Sequence, residues 1–163
     1  MKRFVFHLAV AVLIAAPVLA QQQRGDTELQ LQGSLSISTK SGGHDSGSAA
    51  VNWGRFFTDQ QEAGVTVSTD FNSDGDLGGF GGPFWRLNLG QGKTVPYIGA
   101  SVAATFGDSS SGDSIANLEG GVRWFLSRSS AFTLGGLYTY DVKEKDFNDS
   151  VRVLFGFSYL WGK

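Results

Sequence analysis

Downstream of Ala20 the chain alternates apolar and polar side chains through eight successive segments. In residues 27–38 one set of positions carries Leu29, Leu31, Gly33, Leu35 and Ile37, and the other carries Glu28, Gln30, Gln32, Ser34 and Ser36. A period of two sends neighbouring side chains to opposite faces of an extended strand, so this segment has one apolar and one polar face. The same pattern predicts strands over about 48–57, over 61–71, through a fourth segment ending at 84–89, and then over 95–106, 115–126, 131–142 and 151–161. Each run approaches the ~9–11 residues that a tilted strand needs to cross a bilayer.

Connections separate the strands in a regular way. Those after the first, third, fifth and seventh strands are long or acidic, with Asp45, Asp74, Asp76, Asp108, Asp113, Glu144, Asp146 and Asp149. Those after the second, fourth and sixth are tighter. This asymmetry predicts an all-β, eight-stranded antiparallel up-and-down transmembrane barrel, with the acidic loops outside and the short turns and both termini on the periplasmic side. Apolar faces point to lipid and polar faces to the lumen. Phe57, Trp85, Trp124, Phe132 and Trp161 then form one interfacial girdle, and Phe71, Phe106 and Tyr140 the other. A soluble sandwich has the same period and would bury the outward Trp and Phe residues against a second sheet. Uniform strand length and loop alternation favour the barrel. Two positions break the pattern. Pro83 lacks a ladder donor inside strand four and predicts a bulge or an irregular upper half. Arg55 has outward parity, which means either snorkelling to head groups or a register reset at Gly54.

Composition narrows the setting. Residues 1–20 contain Lys2 and Arg3, an apolar run from Phe4 to Val18, and Val18-Leu19-Ala20 before Gln21, the layout of a cleavable signal peptide. That leaves 21–163 as the barrel domain. No cysteine is present, so neither a lipidated N-terminus nor disulfide staples are available. Without Lys2 and Arg3, 11 of the 13 basic residues remain against 15 acidic ones, a formal charge of -4 that disfavours nucleic acid as a partner. Nothing after residue 20 approaches the ~20 apolar residues of a membrane helix.

Candidate chemistry is sparse. By height, the inward charges form two groups: Glu28, Glu62, Arg86 and Arg123 toward the periplasm with Glu119 above them, and Asp70, Asp141 and Arg152 toward the outside. Side chains can just fill an eight-stranded barrel, so these groups are expected to pair and plug the lumen, with a gated narrow pore as the alternative. Asp70, Asn72, Asp74, Gly75 and Asp76 match the first half of a calcium loop, yet Gly81 stands where a bidentate carboxylate is required, and an ordinary solvated loop is expected. His44 adjoins Asp45 and Ser46, but neighbours on one extended segment do not converge as a triad. A distant partner such as one of Ser109 to Ser111 would be needed for acyl chemistry. No catalytic, cofactor or metal site is expected.

The segment Leu154-Phe155-Gly156-Phe157-Ser158-Tyr159-Leu160-Trp161 resembles the terminal strand by which outer-membrane barrels engage their assembly machinery, through Gly156, Tyr159 and Trp161; here Gly162 and Lys163 follow the last aromatic. From Thr27 to Trp161 the chain resembles the small eight-stranded outer-membrane barrels of OmpA-like and OmpX-like type. Residues 54–59 and 95–100 are similar to turn and strand-start segments of uncharacterised members. The resemblance implies a monomeric, non-enzymatic outer-membrane protein of a Gram-negative bacterium, surrounded by lipid and lipopolysaccharide, with a structural or surface-interaction role. Two further roles occur on such barrels: OmpW-like passage of small hydrophobic molecules, which inward Leu137, Leu154 and Leu160 would permit, and lipid-A modification.

Overall fold

The computed structural model describes residues 22–36, 46–72, 77–107, 114–141 and 150–162. The expected signal segment lies outside them. Eight strands follow in order: β1 Thr27–Ser36, β2 Ser46–Phe56, β3 Gln61–Asn72, β4 Leu77–Asn88, β5 Thr94–Gly107, β6 Ser114–Ser127, β7 Ser130–Asp141 and β8 Ser150–Trp161. Each is antiparallel to its sequence neighbour, and β8 returns to pair with β1 through Leu29↔Tyr159 and Leu31↔Phe157. The barrel is closed, so every strand edge is hydrogen-bonded.

Burial is inverted relative to a soluble domain. Leu118 is 60% exposed, Val102 59% and Trp53 57% on the outer surface, whereas Arg123 and Gln30 are wholly buried inside. No second sheet covers the outer face among the described residues, which rules out the sandwich. The face assignments read from alternation hold: Leu29, Val65, Ile98, Leu134 and Phe155 point out, while Glu28, Thr66, Tyr97, Thr133 and Leu154 point in.

Two local expectations require correction. β4 begins at Leu77, inside the stretch 72–79 expected to be loop, because Gly78 and Gly79 pair with Asp70 and Thr69 of β3. Pro83 causes no bulge: β3 runs past it in unbroken register through Val65↔Pro83. Pairing toward β5 instead lapses at Gly82 and Pro83 and resumes in the same register at Phe84↔Ser101. Gly82 makes this possible, since a Cβ there would lie 2.1 Å from the Val102 carbonyl oxygen. Arg55 keeps its outward parity, with Thr27↔Arg55 and Arg55↔Ala63 in register on both sides and no reset at Gly54. The described ladders contain a register shift at Phe125/Ser127, beside the short turn into β7.

Candidate functional site: the barrel lumen

The lumen is filled in layers, starting at the end that carries Thr27 and Trp161. The first layer is apolar. Phe56, Val95, Phe125, Ala131 and Leu160 pack together there, each at most 2% exposed, and close this mouth.

Above it lies a charged layer that strand alternation places on the inner face. Arg86 of β4 donates from Nε to Glu119 at 2.9 Å, from Nη1 to Glu62 at 3.2 Å and from Nη2 to the Gln30 side-chain oxygen at 3.0 Å. Glu28 lies 3.6 Å from the same Nη1. Arg123 of β6 donates to Glu28, and its other terminal nitrogen stands 3.7 Å from Glu62. Ser158 completes the Glu28 site by donating its hydroxyl at 2.8 Å. Three carboxylates thus face two guanidinium groups, and neutral donors take up the remaining acceptor capacity. Asn52 donates to Gln30 at 2.9 Å and to Gln32 at 2.7 Å, and Gln32 donates to Glu119 at 3.4 Å. Aromatic rings flank the cations: Arg86 lies 5.2 Å from the Phe84 ring centroid and 5.3 Å from that of Tyr97. Buried charges persist when opposite charge and hydrogen bonds both meet them.

A small cavity follows, about 40 Å³ in volume, bordered by Ser68, Ser101, Asn117, Glu119, Leu137 and Leu154 among others. At about 10–15 Å³ per water, that volume has room for a few water molecules. Toward the far end Phe80, Ala103 and Ile115 cluster, Ser34 and Ser48 hydroxyls meet at 2.6 Å, and Arg152 bridges to Asp70 at 3.1 Å. This last pair is partly open, with side chains 18% and 34% exposed.

The two inward charge groups expected from height therefore form, except that the Asp141 side chain lies outside the described residues. Alternation places Gln30 and Gln32 on the polar face of the first strand, but not their part in bridging the ions, and Asn52, which donates to both, was not singled out. Of the apolar first layer only Leu160 was read as inward; Phe56, Val95, Phe125 and Ala131 were missed, because an apolar residue beside an apolar neighbour interrupts no visible pattern. Of the calcium-loop residues, Asp70 sits in β3 paired with Arg152 and Gly81 sits in β4 opposite Val67. Asp74, Gly75 and Asp76, and the Asn72 side chain, lie outside the described residues, as do His44 and Ser109 to Ser111. Leu137 and Leu154 border the small cavity, whereas Leu160 belongs to the apolar seal. Among the described residues no group of three His, Cys, Asp or Glu side chains could hold a metal.

No family model and no curated protein matches the chain. Solved structures do share its fold. The N-terminal β-barrel domain of Pseudomonas aeruginosa OprF superposes with a TM-score of 0.64 at 14% identity, covering 86% of this chain and 100% of that one. Neisserial surface protein A gives 0.66 at 17% identity over 83% of this chain and 99% of that one. The outer membrane protein OprG of Pseudomonas aeruginosa gives 0.56 at 9% identity, covering 88% and 99%. The fold is that of the small eight-stranded outer-membrane barrels, as the sequence resemblance implied.

Proposed function

We propose that this chain is an integral outer-membrane protein of a Gram-negative bacterium, whose sealed barrel acts as a non-catalytic anchor and whose acidic loops serve a structural or surface-interaction role. The observation that carries this reading is the pairing of an apolar outer surface with a lumen closed by buried ions and an apolar layer. The termini end faces the periplasm, after export on the N-terminal signal, and the acidic loops face lipopolysaccharide and the exterior. Assembly proceeds through the terminal strand β8, and the barrel works as a monomer.

Passage of small hydrophobic molecules through the lumen fits less well, since Leu160, one of the three inward leucines that would permit it, seals the termini end. The test is membrane fractionation with gel mobility before and after heating, followed by conductance in planar bilayers. The expected result is an outer-membrane band that shifts on heating and shows no steady channel. A soluble, unshifted protein would overturn the membrane reading, and sustained unitary currents would replace the anchor with a pore. Comparison of lipid A from strains with and without the protein tests catalysis: an unchanged mass profile is expected, and a mass change abolished by His44→Ala would make it an enzyme.

A further inference from the structure

The described basic residues are divided by position. Arg86, Arg123 and Arg152 are committed to carboxylates inside the barrel. Arg24, Arg55, Lys93 and Arg128 all gather at the termini end, in the segment before β1, on outward-facing β2, and in the turns β4–β5 and β6–β7. Arg55 is the unusual member, because it occupies a lipid-facing position between Trp53 and Phe57, which are 57% and 45% exposed. Its cross-strand partners are Thr27 and Ala63, neither of which carries charge. No carboxylate among the described residues pairs with it.

Beside Arg55 a shallow groove of about 400 Å³, open to the surroundings, is lined by Arg24, Gly25, Arg55, Phe56, Phe57 and Ala63. Its wall is built by specific contacts. Gly25 N donates to Phe56 O at 2.8 Å, Phe56 N donates to Asp26 O at 2.8 Å, and Arg24 N donates to an Asp59 carboxylate oxygen at 2.8 Å. The Asp59 carboxylate thereby holds the backbone of the segment, and the Asp26 carboxylate likewise accepts from Gln23 N at 2.8 Å. Gly25, at φ +96°, supplies the turn that brings Arg24 back over β2. Ala63 opposite Arg55 leaves room that a larger side chain would fill.

We infer that this groove binds the phosphate of an anionic glycerophospholipid in the leaflet at the termini end, with Arg55 and Arg24 on the phosphodiester and the apolar face around Trp53 along the acyl chains. The inference rests on the membrane reading above and names the lipid class that reading leaves open. A guanidinium matches phosphate oxygens with a two-pronged donor set, and an arginine at the edge of the lipid-facing band extends its head to the phosphate level. The side chains lining the groove include two arginines, while the neighbouring Asp26 and Asp59 carboxylates each accept a backbone N–H of the segment before β1. A choline head group would bring a third cation to the two arginines, whereas a glycerol head group leaves the phosphate charge free to be neutralised.

The experiment is to insert the full chain into vesicles of phosphatidylcholine with a minority of phosphatidylglycerol, exchange into mild detergent, and quantify retained lipid by mass spectrometry. Heated and unheated gel mobility reports independently that each variant has folded. The wild type is expected to retain phosphatidylglycerol above its bulk share, and Arg55→Gln and Arg24→Gln to lower that retention about fivefold each, the factor of one near-surface cation. Lys93→Gln, on the same rim but outside the groove, is expected to retain lipid as the wild type does. Retention at the bulk ratio, or an equal loss in Lys93→Gln, would sink the site and leave only diffuse rim charge. Preference for added lipid A over phosphatidylglycerol would overturn the phospholipid assignment. A chain that never inserts or heat-shifts sinks the membrane reading itself, a result distinct from an inserted barrel with unselected lipid.

Discussion

Glu28 on β1 and Arg123 on β6 form an ion pair across the lumen, although 95 residues separate them and their strands are not neighbours in the barrel. Arg86 on β4 makes equivalent crossings to Glu28 on β1 and Glu119 on β6. The strand ladders bind each strand only to the next, so these pairs join parts of the wall that the ladders leave independent. The interior thereby acts as a cross-brace.

Removing one member of that brace should be costly. Arg86→Met strips the cation from three carboxylates while filling a similar volume, and is expected to reduce unfolding stability by about 3–5 kcal/mol, the cost of leaving buried charge uncompensated. Urea titration in lipid vesicles, followed by tryptophan fluorescence, measures it. Adding Glu62→Gln to the same chain should recover part of the loss. A change below about 1 kcal/mol would mean that water, and not arginine, balances the carboxylates.

The upper ion pair should behave differently. Arg152 and Asp70 are also on the inner face, but their 18% and 34% exposed side chains remain in contact with solvent. Arg152→Ala is therefore expected to cost about 0–1 kcal/mol, and that cost should shrink in high salt. The same urea titration, run at two salt concentrations, distinguishes this pair from the buried layer.

Gln30 joins the neutral and charged halves of the network, accepting from Arg86 and Asn52 and donating to Thr133 at 3.1 Å. Gln30→Ala is expected to cost about 1–3 kcal/mol, since two buried donors lose their acceptor. In a double-mutant cycle with Asn52→Ala the effects should fail to add by about 0.5–3 kcal/mol. Strict additivity would show that Asn52 is held by Gln32 alone.

Strand number, strand faces and the two levels of inward charge were legible in the sequence because period-two alternation is a direct image of which side chain lies on the outer surface of the barrel. Even Arg55 obeyed its parity. The alternation placed Leu160 inside but not the rest of the apolar seal: Phe125 falls between outward Trp124 and Leu126, so an inner apolar residue merges with outer ones into one run. Nor could height along each strand decide which glutamate meets which arginine, because strand tilt displaces residues of equal sequence height. Pro83 was half legible. Its missing donor does interrupt the ladder toward β5, but no bulge follows, because a glycine beside it lets the neighbouring strand approach closely and the register resumes unshifted.

The same close approach gives opposite expectations for two adjacent glycines of β6. A Cβ on Gly121 would stand 2.2 Å from the Leu134 carbonyl oxygen and 2.5 Å from Gly135 Cα, both backbone atoms. β7 cannot retreat, because Val122↔Leu134 and Gly120↔Gly136 hold the register on either side. A Cβ on Gly120 would have its nearest neighbour, the Tyr97 carbonyl oxygen, at 3.6 Å, an ordinary contact. Gly121→Ala is therefore expected to destabilise the barrel by about 1–3 kcal/mol or to block its assembly. Gly120→Ala should be neutral or stabilising by up to about 1 kcal/mol, as the unfolded chain loses freedom. The fraction of each variant reaching the heat-shifting form, together with its urea midpoint, decides the matter: equal behaviour of the two would mean that β6 and β7 are not packed as closely as their glycines indicate.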